Sequence, residues 1–396
     1  MSATRDAVRR PPPPEPPVDG LLLAAVLILT ALGLVMVYSA SAVTAEARVR
    51  DQFFFLKRQL VAAGVGLGLL LAMLRLGYRR LELLAVPFLL LTVLLLLAVL
   101  VPGVGRSAGG ARRWIDLGLV SFQPAEAAKV ALVLYLARSL ARKRDKVRIF
   151  SIGFLPHVLV TGLLVALVLA ERDLGTGVVL LTLLFVMLFA GGARVSYLLG
   201  AVLLAVPIGW KLIAGTPYRM QRILAFLDPW QHREGAVFQI VESLLGIGNG
   251  GWAGQGLGDG KGKLFYLPAA HTDFIAAVVA EEAGLIGVAA VLALYGIVVW
   301  RGLRATFNAS DAFGCFVALG ATTLIAVQAL INLAVVFGLL PTKGLTLPFV
   351  SYGGSSLMML LAVSGMLLSV SAGKGGFLRR PTPRARVPAA AGGGGR

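Results

Sequence analysis

Apolar runs of about 20 residues, separated by short polar stretches, recur along almost the whole chain. They fall at 21–40, 58–74, 82–102, 123–140, 152–170, 174–191, 195–213, 272–299, 312–338 and 346–370. An α-helix needs a run of about that length to cross the hydrocarbon core of a bilayer. The pattern predicts an all-α polytopic membrane protein with about ten transmembrane helices. The first run is too long for a signal peptide and lacks a small-residue cleavage site, so it reads as a retained helix. Residues 1–20, with the run Pro11–Pro14, and 374–396, ending in glycines and Arg396, read as disordered tails around one membrane domain, 21–373. One long stretch, 214–271, separates the seventh run from the eighth. A connection of that length is uncommon unless it carries function. Its many glycines, from Gly246 to Gly262, allow tight turns or close approach to a ligand.

Composition strengthens this reading. Hydrophobic residues make up 58% of the 396 positions and charged ones 14%. Soluble proteins carry about 25% charged residues. The mean hydropathy of +0.85 excludes a soluble fold. A formal charge of +18 would suggest nucleic acid in a soluble protein. In a polytopic chain, cationic loops instead hold topology and meet anionic headgroups, so no nucleic-acid partner is expected. With the N-terminus inside, ten crossings place more than half of the 37 lysines and arginines in cytoplasmic segments. Both termini are therefore predicted cytoplasmic and the 214–271 loop extracytoplasmic. A single cysteine, Cys315, forms no internal disulfide, and with three histidines it argues against a zinc site. Gly246, Gly248 and Gly251 match a G-x-G-x-x-G pattern, but no soluble strand-turn-helix unit surrounds them.

Charges inside membrane runs mark candidate functional positions. Glu126 and Lys129 lie three apart on the fourth run, close enough to pair on one helix face. Asp173 opens the sixth run, Glu281 and Glu282 lie in the eighth, and Gln328 and Asn332 lie four apart on the ninth. Ion pairs and hydrogen bonds that merely hold a bundle together explain these groups equally well for Glu126 and Lys129, and better for the two amides. Asp273 stands where the long loop re-enters the membrane. A carboxylate at a water–lipid boundary suits a general base; the competing reading is a helix N-terminal carboxylate favoured by the dipole. His271, two residues away, is a proton partner or a plain hydrogen-bonder. On the same side stand Arg112, Arg113, Arg172, Arg219, Arg222, Lys261, Lys263 and Lys343. Clustered cations suit either a phosphate-bearing ligand or lipid headgroups.

Several motifs resemble those of the SEDS family (shape, elongation, division and sporulation). They are Gly110-Ala-Arg112-Arg113-Trp114-Ile115, Phe122-Gln123-Pro124-Ala-Glu126-Ala-Ala-Lys129, Asp173-Leu-Gly-Thr176 and Tyr218-Arg219 through Arg222 to Asp228-Pro229. His271-Thr-Asp273-Phe274 with Glu281-Glu282-Ala-Gly284 follows, then Gly338 to Gly344 and Pro348 to Ser356. Pro341-Thr342-Lys343-Gly344 is more similar to the division branch than to the elongation branch. There are departures: Ala269 stands where the family usually has glutamate, Glu242 where it tends to have glutamine, and Gly262 where glutamine commonly precedes the lysine.

The resemblance implies an inner-membrane peptidoglycan glycosyltransferase that polymerises lipid II with inversion. It implies Asp273 as the catalytic base. It implies substrate-binding roles for the cations Arg112, Arg113, Lys129, Arg219, Arg222, Lys263 and Lys343, and for Glu126, Asp173, His271, Ser351 and Tyr352. A divalent cation, Mg2+ or Mn2+, would share the charge on the departing pyrophosphate. The implied partners are a class B penicillin-binding transpeptidase, whose single membrane helix packs against the bundle, and other membrane proteins of the division machinery. A lipid II flippase and a non-catalytic division scaffold are the rival readings.

Overall fold

The computed structural model describes residues 18–108, 111–116, 118, 121–216, 220, 226, 238–260 and 270–373. The chain opens with α1 (Gly20–Val49), capped by the Asp19 carboxylate on Leu22 N and tied by the same side chain to Arg301 at 2.7 Å. A single residue, Gly77 at φ 77°, turns the chain from α2 (Phe54–Leu76) into α3 (Tyr78–Leu100). Three short antiparallel strands follow: β1 (Arg106–Ala108), β2 (Ala111–Asp116) and β3 (Ser121–Phe122). Among the described residues the remaining α-helices are α4 (Pro124–Lys143), α5 (Leu155–Ala170), α6 (Leu174–Ala190), α7 (Val195–Ala214), α8 (Phe238–Gly250), α9 (Ile275–Phe307), α10 (Ala312–Val336) and α11 (Gly354–Ser371).

Each of the predicted membrane runs is occupied by a helix. Among the described residues seven are long and apolar enough to cross a bilayer, while α6 and the apolar part of α7 are shorter. Helix α4 falls outside both groups because Glu126, Lys129, Arg138, Arg142 and Lys143 dilute its hydropathy. It tolerates them because neighbouring helices surround most of it. The chain is therefore a mostly helical, polytopic membrane protein, with α4, α10 and α11 at its centre and exposed leucines such as Leu94, Leu203 and Leu204 facing outward.

Three expectations need correction. The fold is not all-α, because the polar stretch between the third and fourth runs forms the small sheet. The 214–271 loop contains a helix, α8, which packs against α9. The tenth run, 346–370, is irregular at its start and becomes helical only at Gly354; it continues an irregular segment that begins at 337, where Pro341 and Pro348 remove donors a helix needs.

Helix α9 is broken at Gly284, which sits at φ 64°, ψ −164°. A break in a membrane-spanning helix leaves carbonyls and amides without partners, at several kcal/mol each unless the protein satisfies them (~2–7 kcal/mol per group). The glycine-rich turn after α8 does so. Gln255 N and Gly256 N donate to Glu281 O and Glu282 O at 3.0 and 3.1 Å, and Leu285 N and Ile286 N donate to Gly251 O and Trp252 O at 2.9 and 3.2 Å. Such backbone-on-backbone contact leaves no room for side chains. A Cβ at Gly254 would strike Glu282 O, and one at Gly284 would strike Gly254 N. Ser39 of α1 adds hydrogen bonds of 2.6 and 2.8 Å to the Glu282 carboxylate.

Candidate active site

Beside the N-terminal end of α9 lies a cavity of about 500 Å³. The hairpin contributes Arg106, Arg113 and Trp114, and α2 contributes Arg58. Gln123 and Glu126 enter from the start of α4, Asp173 and Thr176 from the α5–α6 turn. Thr272 and Asp273 line it together with the irregular segment around Gly344–Thr346 and with Tyr352–Gly354. The volume lies within the ~300–1,000 Å³ range of small-molecule sites. Three arginines and three carboxylates converge there.

Asp273 is held through its own backbone. Three successive carbonyls are each taken by a different donor: His271 O by Tyr352 N at 2.9 Å, Thr272 O by the Ser351 hydroxyl at 2.5 Å, and Asp273 O by the Asn332 amide at 2.8 Å. Ser351 also accepts from Leu347 N at 2.9 Å, so its single hydroxyl joins two segments. Fully buried Gln59 braces the far end of that segment, donating to Ser351 O at 3.1 Å and accepting from Gly353 N at 3.2 Å. Gly344 at φ 69° lies so close that a Cβ there would sit 3.5 Å from Asp273 Oδ2.

The other sequence candidates divide into groups. Arg113, Glu126, Asp173 and Tyr352 line the cavity with Asp273. Glu126 pairs with Lys129 at 2.7 Å, and the lysine lies buried behind it. Asp173 caps α6, accepting from Thr176 N at 3.0 Å and from the Thr176 hydroxyl at 2.8 Å, with Gln123 at 3.4 Å. Arg113 donates to Glu171 O and Arg172 O at 2.8 and 2.7 Å, which clamps the α5–α6 turn where Arg172 adopts φ 61°. Lys343 lines a small recess shared with Asp273, and burial pushes its amine down from the ordinary lysine range. His271 lies outside the cavity lining, its ring centroid 4.6 Å from Phe55 and 5.7 Å from Tyr352. Burial and then the Arg48 charge lower its pKa to about 4, so it is a neutral imidazole at physiological pH. Arg112 is exposed on β2, away from the cavity lining. Arg219, Arg222 and Lys263 lie outside the described residues.

Arg58, Arg106 and Gln59 were passed over in the sequence. The first two stand at the ends of apolar runs, where a lone arginine is indistinguishable from a topology signal. Glu171 was also passed over. It is buried, neither oxygen meets a hydrogen-bond partner among the described residues, and burial followed by the Asp173 charge raises its pKa to about 8. Among the described residues no group of three or more His, Cys, Asp or Glu side chains is placed to hold a metal.

The family model described as "Cell cycle protein", covering FtsW, RodA and SpoVE, matches residues 19–375. The chain belongs to that family. Within the FtsW/RodA/SpoVE family it is 48% identical over 353 residues to the "Probable peptidoglycan glycosyltransferase FtsW" of Geobacter metallireducens, covering 89% of this chain and 94% of the relative. It is 42% identical to the "Stage V sporulation protein E" of Bacillus subtilis, covering 89% and 96%. Among solved structures, a chain reported under "Structural coordination of polymerization and crosslinking by a peptidoglycan synthase complex" superposes with a TM-score of 0.74 at 35% identity, covering 89% and 97%. The rod shape determining protein RodA of Thermus thermophilus does so at 0.66 and 33% identity, covering 89% and 96%.

Proposed function

We propose that this protein is a peptidoglycan glycosyltransferase that polymerises lipid II during septal synthesis, with its cavity on the extracytoplasmic face of the bacterial inner membrane. Support comes from the FtsW relatives, which carry the glycosyltransferase name at 47–50% identity. The observation that carries the chemistry is Asp273 lining one cavity with Arg58, Arg106 and Arg113. In an inverting transfer, the 4-hydroxyl of an N-acetylglucosamine attacks the anomeric carbon of an N-acetylmuramic acid. Asp273 takes the hydroxyl proton as the new bond forms, and the bond to the lipid pyrophosphate breaks. General-base assistance of this kind contributes ~10²–10⁴-fold. Negative charge develops on the departing pyrophosphate, where guanidinium groups stabilise it most. Arg113 has two donors occupied by backbone carbonyls, so Arg58 and Arg106 have more capacity for that task, although Arg106 is shared with Asp116 at 3.1 Å.

In this reading both termini are cytoplasmic, ten helices cross the membrane, and 214–271 lies outside. A class B penicillin-binding transpeptidase packs one membrane helix against the bundle, which accords with the likeness to the synthase complex. The test uses the full chain purified with its transpeptidase and supplied with labelled lipid II. Wild type is expected to form glycan polymer and Asp273→Asn to lose it by about 10²–10⁴-fold. Equal polymer from both would remove Asp273 as the base. Polymer from neither, with lipid II translocated across liposomes, would favour a flippase.

A further inference from the structure

Asn332 is buried on α10, one turn after Gln328. Amides in membrane helices commonly bridge to neighbouring helices. Neither does so here. Its amide nitrogen makes two hydrogen bonds, both to irregular backbone: 2.8 Å to Asp273 O and 2.6 Å to Leu345 O. Among the described residues Asn332 Oδ1 meets no partner, and the same holds for the whole Gln328 amide. A buried unsatisfied carbonyl costs ~1–3 kcal/mol. A hydrophobic residue of the same shape would avoid that penalty but would forfeit the two donations.

What the donations join is specific. One end is the backbone of the proposed base. The other is the segment whose Gly344 lies against the carboxylate of Asp273 and which lines the cavity with it. A short, branched amide on a regular helix therefore fixes the spacing between the base and the wall beside it. We infer that Asn332 is a positioning residue of the transfer reaction, setting Asp273 relative to the Gly344–Leu345 wall by bonding both backbones at once. The inference rests on the proposed role of Asp273.

Errors of about 1 Å in the placement of a reacting group reduce rates by up to ~10²-fold. Asn332→Leu removes both donors in nearly the same volume. It is expected to lower kcat by about 10–10²-fold and leave KM within about twofold, because the arginines that hold the substrate are untouched. Asn332→Ser keeps one donor and is the second variant should the leucine protein not fold; a smaller kcat loss in the same direction is expected. The readout that separates positioning from packing is a double-mutant cycle with Asp273→Asn, followed over long incubations of the complex with labelled lipid II. When Asp273 is already neutralised, changing Asn332 is expected to cost little further residual activity. Equal losses in both backgrounds, a rise in KM matching the fall in kcat, or full activity in a folded Asn332 variant would each overturn the inference. Full activity of Asp273→Asn would instead overturn the base assignment on which it stands. An inactive Asp273→Asn beside a fully active Asn332→Leu would overturn the positioning role alone.

Discussion

The Glu126–Lys129 pair permits a sharp test because its two side chains are only 8% and 1% exposed and meet at 2.7 Å. Lys129→Met removes the cation while leaving a carboxylate beneath the cavity wall. Breaking a buried pair from one side costs ~3–5 kcal/mol, since the remaining ion has lost both water and its partner. Replacing both members by uncharged groups of similar volume is neutral or even favourable by ~1–4 kcal/mol. Lys129→Met is therefore expected to lower the thermal midpoint of the detergent-solubilised protein by roughly 5–10 °C. The double variant Glu126→Gln with Lys129→Met is expected to recover most of that loss. Because Glu126 lines the cavity and Lys129 does not, the folded double variant also reports on function. Reduced polymerisation by a stable double variant would show that the charge shapes the cavity. Wild-type rates would reduce the pair to a joint in the bundle. A double variant no more stable than Lys129→Met would refute the electrostatic reasoning itself.

Two further predictions follow from the packing. Gly254→Ala should destabilise the protein strongly, since φ there is 82° and the new Cβ would meet Glu282 O; the strained backbone alone costs ~1–3 kcal/mol, visible as a lower midpoint in the same thermal scan. Glu171→Gln should stabilise the protein more at pH 8 than at pH 5. A carboxyl raised to about 8 favours the folded state fully below the ordinary value of 4.5, and that contribution drains away as pH rises toward 8. Glutamine removes the dependence, so equal effects at both pH values would contradict the burial of an unpartnered acid.

Helical spans were legible because a bilayer demands long apolar runs, and those runs stand out against 14% charge. The Glu126–Lys129 contact was legible too, from a three-residue spacing that any α-helix converts into a neighbour pair. The sheet at 106–122 was missed because its strands are two to six residues long, too short for an alternation to show. Less legible was the bracing of the base: the Ser351 hydroxyl and the Tyr352 backbone N–H hold the carbonyls before Asp273, while Tyr352 also lines the cavity. Pattern and spacing give no access to such long-range backbone bonds. Glycines 250 to 256 were similarly ambiguous: room for a ligand and room for another main chain look alike in sequence.

The interruption of α9 at Gly284 divides that helix into a short stub, Ile275 to Ala283, and a longer shaft that runs to Phe307. The stub is riveted from three directions, by α1 through Ser39, by the turn after α8, and by the grip on residues 271–273. The turn after α8 donates to Glu281 O and Glu282 O on one side of the glycine and accepts from Leu285 N and Ile286 N on the other, so the two halves are held at one angle by main chain alone.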